Sequence, residues 1–116
     1  MAKARNNRTA GNNYERFIVN ELKARFPLFN KACTSRLESK SLDDQKVDIC
    51  FTPGFNFQCK NSKANLDYNE IINSMPVNEN KNVIIHRKTK KVNTRFVTQG
   101  DYVILKKEDF YKLLEK

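Results

Sequence analysis

Two short β-forming runs on either side of Thr52-Pro53-Gly54 constrain this chain more than any other feature. Val47–Phe51 and Phe55–Lys60 alternate apolar and polar residues, and a three-residue loop with Pro and Gly between such runs reads as a β-hairpin. Side chains alternate across a strand. Val47, Ile49 and Phe51 therefore share one face with Phe55, Phe57 and Cys59, while Asp48 and Cys50 share the other with Asn56, Gln58 and Lys60. With residues 52–54 as the loop, Phe51 pairs with Phe55, Ile49 with Phe57 and Val47 with Cys59, and Asp48 stands opposite Gln58. One register thus builds an apolar core face and a polar face, and a slip by one residue would turn both inside out.

The rest of the chain supplies partners for that hairpin. From Asn12 a helix is expected, with Tyr14, Phe17, Ile18 and Leu22 on one stripe and Pro27 ending it. A short strand over Ala32–Arg36 and a polar loop over Leu37–Lys46 precede the hairpin. Asp67-Tyr68-Asn69-Glu70 reads as a capping box. Tyr68, Ile71, Ile72 and Met75 follow at helical spacing, and Pro76 stops that helix. Val83–His86, Phe96–Thr98 and Tyr102–Leu105 read as strands, and Lys107–Glu115 as a last helix packing through Phe110, Leu113 and Leu114. Phe26, Phe29, Phe51, Phe55, Phe57, Tyr68 and Phe96 are expected in the core. At 116 residues the chain is a single domain that needs no disulfide or metal staple. Residues 1–10 are expected as a flexible basic arm and residues 11–116 as an α/β domain, a mixed β-sheet flanked by helices.

Charge narrows the partners. Lys and Arg number 22 against 13 Asp and Glu, a formal +9, which points to a polyanion. Lys81 to Arg95 contains no acid and holds Arg87, Lys88, Lys90 and Lys91. With Lys3, Arg5 and Arg8 these are expected as two basic arms against phosphates, although such runs also occur as plain solvated surface. Cys33, Cys50 and Cys59 are odd in number and lack CxxC spacing, so neither a disulfide framework nor a zinc knuckle is expected. Their use suits a reducing, cytoplasmic setting. No apolar run spans a membrane and the N-terminus has no apolar signal core. A single His, His86, argues against multi-His metal sites and His-based catalysis. Three Gly leave no phosphate-binding loop.

The polar face of the hairpin can do chemistry. Hydrolysis of a phosphodiester needs a hard divalent cation, oxygen ligands to hold it and a positive group near the attacking water or the phosphate. Asp48 and Gln58 offer oxygens with Cβ atoms about 5 Å apart, and Lys60 offers the cation. A solvent-facing polar stripe is the alternative from spacing alone. Glu15, on the margin of the first helix's apolar stripe, either points toward the sheet or completes a capping box with Asn12. Arg36 and Ser39 either contact a phosphate or belong to an ordinary solvated loop.

Glu15, Val47-Asp48-Ile49 and Phe57-Gln58-Cys59-Lys60 in this order resemble the PD-(D/E)XK nuclease superfamily. Within it they are most similar to the Holliday junction resolvases of archaea and phages. There an early helix carries Glu, one strand carries Asp and the next carries Glu-x-Lys. The resemblance covers about residues 11–86 and implies a restriction-endonuclease-like fold. It implies a metal-dependent endodeoxyribonuclease with Glu15, Asp48, Gln58 and Lys60 as catalytic residues. Mg²⁺ or Mn²⁺ would sit on Asp48, Gln58, Glu15 and the Cys59 backbone carbonyl. It further implies four-way or other branched DNA as partner, a homodimer matched to two symmetric cuts, and a phage protein acting in the cytoplasm of a bacterial host. Gln58 stands where the family has Glu: it keeps an oxygen ligand and loses a charge, which Glu38, Asp43 or Asp44 could supply. A degenerate scaffold that only binds DNA, and a nicking, mismatch-type or RNA-processing nuclease, remain as alternatives.

Overall fold

A computed structural model describes the backbone of residues 7–115 and the side chains of residues 9–115. Helix α1 (Asn7–Arg25) is followed by a 3₁₀ turn (Pro27–Phe29), then β1 (Cys33–Thr34), α2 (Ser35–Glu38), α3 (Lys40–Asp44) and β2 (Ile49–Cys50). Next come β3 (Phe55–Ser62), α4 (Tyr68–Ser74), β4 (Lys81–Val92), β5 (Arg95–Ile104) and α5 (Lys107–Leu114). The five strands form one mixed sheet in the order β1-β2-β3-β4-β5. Neighbours are antiparallel except β3 and β4, which run parallel. A parallel pair needs a crossover, and α4 lies in it.

The expected hairpin register is present, with Ile49 paired to Phe57. The first strand is shorter than expected. It ends at Cys50 because Phe51 takes a left-handed φ of 61° and faces solvent instead of the core. Gly54, at φ 88°, supplies the remaining left-handed turn position. On β3 the alternation holds: Phe57 and Cys59, with partly buried Phe55, join Ile49, Val83 and Ile85 beneath Tyr14, Ile18, Val19 and Leu22 of α1. Phe29 from the 3₁₀ turn meets Phe55 and Phe57 edge-on. Ile84 alternates to the opposite face of β4, against which α4 packs with Ile72 and Met75 buried. Asp67 caps α4 as expected, its Oδ1 accepting from the Glu70 N–H at 3.1 Å, while the reciprocal Glu70 bond of a capping box is not among the described hydrogen bonds.

Four departures bear on function. Helix α1 starts at Asn7, so residues 7–10, assigned to a flexible arm, are helical; residues 1–6, with Lys3 and Arg5, lie outside the described residues. The loop Leu37–Lys46 is largely two short helices, the second capped by Ser39. The basic arm expected after His86 and the three short strands expected at Val83–His86, Phe96–Thr98 and Tyr102–Leu105 are one long ribbon. β4 and β5 pair out to Val92 and Arg95, turn at Asn93 (φ 57°), and leave every residue from Lys90 to Gln99 exposed. Finally, Phe26, Tyr68, Phe96, Phe110 and Leu114 are exposed, not core residues. No helix among the described residues is long and apolar enough to cross a membrane.

Candidate active site

The site forms where β2 stops and β3 continues. The Ser35 N–H donates to the Asp48 carbonyl at 2.8 Å and ties the start of α2 to the strand entry. The Asp48 N–H donates to the Phe57 carbonyl at 2.8 Å, while Ile49 pairs with the same residue. Two residues thus address one, the count of a β-bulge, which re-aims a side chain. In consequence Asp48 does not simply stand on Gln58's face. Its Oδ2 accepts from the Cys59 N–H at 2.8 Å, at the edge of β3. The N–H and C=O of one strand residue point to the same side, so the Cys59 carbonyl also faces this edge, where β2 has ended.

Glu15 reaches the same place from α1. Because the helix begins at Asn7, Glu15 lies inside it and is released from the capping role. Its side chain is 14 % exposed and its Oε1 lies 3.5 Å from Arg36 Nε. Burial and the negative Asp48 push the Glu15 carboxyl up to about 7, against the pull of Arg36. Burial likewise raises Asp48 to about 6, opposed by the Cys59 N–H and by Lys60. Asp43 on α3 raises both. The Cys59 thiol, buried and facing Asp48 and Glu15, is pushed well above its ordinary value. The centre is therefore short of positive charge.

Gln58 and Lys60 leave β3 on the side opposite Phe57 and Cys59. Gln58 is buried and its Oε1 has no hydrogen-bond donor; Lys60 is half-buried. An orphaned buried acceptor is costly, by about 1–3 kcal/mol. Asp48 is the common member: it accepts the Cys59 N–H, feels Lys60, and interacts with Glu15 across the gap to α1. Gln58 is adjacent in the chain, without a bond to Asp48 among the described contacts. Among the described residues no three His, Cys, Asp or Glu side chains form a metal cluster. The donor set is two carboxylates, an amide oxygen and a main-chain carbonyl, the chemistry of a hard cation such as Mg²⁺ or Mn²⁺.

The expected phosphate contacts divide. Arg36 faces Glu15, and Ser39 spends its hydroxyl on the Leu42 N–H at 3.4 Å. Arg87 is not free: it forms a two-pronged pair with Asp101 at 2.8 and 3.0 Å and lies 4.8 Å over both the Tyr14 and Phe17 rings. Lys88 donates to the Lys63 carbonyl and to Asn65 Oδ1. Lys90 and Lys91 are exposed on the ribbon, as phosphate contact requires. Arg8 is helical, and its side chain lies outside the described ones.

Sequence reasoning missed the thiol pair Cys33 and Cys50, whose Sγ atoms are 3.0 Å apart across β1 and β2. The signal was the antiparallel pairing of the segments around them. His86, expected at a strand end, sits within β4 with Nε2 3.3 Å from the Ser62 hydroxyl and carbonyl, and burial lowers its pKa. Comparison with protein-family models, curated proteins and solved structures returned no match.

Proposed function

We propose that the chain is a metal-dependent DNA endonuclease that cleaves branched DNA, four-way junctions foremost, by phosphodiester hydrolysis on a restriction-endonuclease-like scaffold. The observation that carries this reading is the pair of half-buried carboxyls of Asp48, at the open edge of β3, and Glu15, beside it on α1: both stand above the ordinary carboxylate range although Arg36 lies against Glu15 and Lys60 acts on Asp48. Two carboxylates kept together in this way oppose folding, and such strain collects where function requires it. Asp48, Glu15, the Gln58 Oε1 and the Cys59 carbonyl would hold Mg²⁺ or Mn²⁺. The orphaned Gln58 oxygen supports that fit. Bound there, the ion supplies a polarised phosphoryl oxygen and a water of lowered pKa.

The protein's own groups do the rest. Lys60 orients the attacking water and offsets charge on the phosphoryl oxygens as they become more negative. Arg36, now on Glu15, is placed to take a phosphate with its guanidinium. Lys90 and Lys91 on the ribbon hold the DNA backbone at a distance from the chemistry. The products are a 5′-phosphate and a 3′-hydroxyl. Two symmetric cuts in a junction call for a two-fold homodimer, and the three free thiols suit a reducing bacterial cytoplasm.

One observation favours a second reading: Gln58 removes the charge the family's Glu would bring, which fits a DNA-binding protein without catalysis. Incubating the chain with four-way junction, linear duplex and single strand, in Mg²⁺ or EDTA, separates the two. Paired nicks in the junction in Mg²⁺ alone support the enzyme, and Asp48→Asn and Lys60→Ala should each abolish them while leaving binding intact. Equal nicking of duplex would replace branched DNA as the substrate. Tight binding without cleavage in Mg²⁺ would leave the non-catalytic reading.

A further inference from the structure

Past the candidate active site, β3 runs on from Lys60 to Ser62 and opens into a cleft of about 350 Å³. It is lined by Phe96 of the ribbon, by Asn61 and Thr89 of β3 and β4, and by Ala10 and Lys63. We propose that this cleft receives one unstacked nucleobase of the substrate. The inference rests on the nuclease reading and deepens it, because only DNA with unpaired or loosened bases near the cut can supply such a base.

The walls match a base. Phe96 was expected in the core but is 48 % exposed; it offers a ring for stacking, which tolerates any base. The Asn61 amide carries both a donor and an acceptor for a base edge. Thr89 is buried on the cleft floor and brings a hydroxyl. Lys91 pairs with Phe96 across the ribbon and is exposed there, within reach of the phosphate attached to a base on that ring. The floor is fixed before any ligand arrives, since Lys88 bonds the Lys63 carbonyl and Asn65 Oδ1. A preformed cleft lowers the ordering cost of binding.

The distance is also suitable. Asn61 to Lys63 lie two to four residues beyond Cys59, where Asp48 is bonded, or roughly 7–13 Å along the strand. A duplex advances about 3.4 Å per base pair. The cleft thus sits a few nucleotides from the phosphate at the catalytic edge. Extracting a base from intact duplex costs unpairing and unstacking, and a branch point or unpaired nucleotide has already met that cost.

The test uses the full chain in EDTA, so that binding is read without cleavage. The probes are a fully paired duplex, the same duplex with one unpaired 2-aminopurine, and a four-way junction with 2-aminopurine at the branch. Wild type should change the 2-aminopurine fluorescence on both nucleotide-exposing probes, and Phe96→Tyr should keep the change. Phe96→Ala should remove it and weaken binding to those probes by about tenfold, with paired duplex altered by less than about twofold. Asn61→Ala should weaken the same probes selectively. Equal losses on all three DNAs, or an unchanged signal in Phe96→Ala, would overturn the cleft assignment. The two readings fail separately: cleavage in Mg²⁺ with no 2-aminopurine response removes the cleft alone. A response that persists without cleavage in Mg²⁺ supports the cleft and removes the nuclease.

Discussion

Replacing Glu15 by Gln should make the protein more stable and less active. Raising a carboxyl from 4.5 to about 7 corresponds to about 3 kcal/mol of cost at neutral pH, at 1.36 kcal/mol per pKa unit. The sign follows from proton binding: the folded state holds the Glu15 proton more tightly than the unfolded chain does. Its contribution is therefore fully retained below pH 4.5 and is lost as pH rises through about 7. Asp48, raised from 3.8 to about 6, adds a loss over an overlapping window. Gln keeps the shape of Glu15 and removes the charge, and the lost pull of Arg36 is already contained in the net shift. Glu15→Gln should thus gain on the order of 2–3 kcal/mol at pH 8 in EDTA and almost nothing at pH 4.5. Urea denaturation followed by circular dichroism at both pH values measures this. Mg²⁺ should narrow the gap by stabilising the wild type, as any ligand of the folded state does, while cleavage by the variant falls about 10- to 100-fold. A variant destabilised at pH 8, or a wild type that gains stability from pH 5 to 8, would refute the reasoning.

Three other outcomes are expected. Gln58→Glu brings a third carboxylate to the edge; it should lower stability in EDTA at pH 8 and tighten Mg²⁺ dependence, and an inactive variant would contradict a ligand role for this position. Arg87→Ala should cost about 1–2 kcal/mol in urea denaturation through loss of the Asp101 pair and of two cation–ring contacts, with the salt slope of DNA binding unchanged; a flatter slope would make Arg87 a phosphate contact after all. Replacing Lys90, Lys91 and Arg95 together by Ala should flatten the slope of log K against log salt by roughly 2–3 without changing stability, and an unaltered slope would take DNA off the ribbon.

The parts of the fold legible in the sequence are those where local pattern and burial agree. The stripe of Tyr14, Ile18 and Leu22, the pairing of Ile49 with Phe57 and the Asp67 cap each follow from a spacing that one buried face or one turn enforces. The ribbon was hidden for the converse reason. From Lys90 to Gln99 neither face is buried, so no alternation marks the strands and a run of lysines reads as a loop. The cue was Asn93, suited to a left-handed hairpin turn between Val92 and Arg95. At the site, alternation put Asp48 opposite Gln58. The bulge at Asp48 and Ile49 carries the carboxylate to the Cys59 N–H instead, and a bulge leaves no mark in a pattern of apolar and polar residues. Arg87 shows the limit of charge counting: its basic run was visible, but its partner Asp101 is 14 positions away across a turn.

Crystals soaked in Mn²⁺ and measured for anomalous scattering test the central claim most directly. The account predicts a peak at the open edge of β3, about 2.0–2.5 Å from an Asp48 carboxylate oxygen and from the Gln58 Oε1 or the Cys59 carbonyl, and no peak there in Asp48→Asn. A wild-type map with no peak at that edge, or a peak that persists in Asp48→Asn, would contradict it.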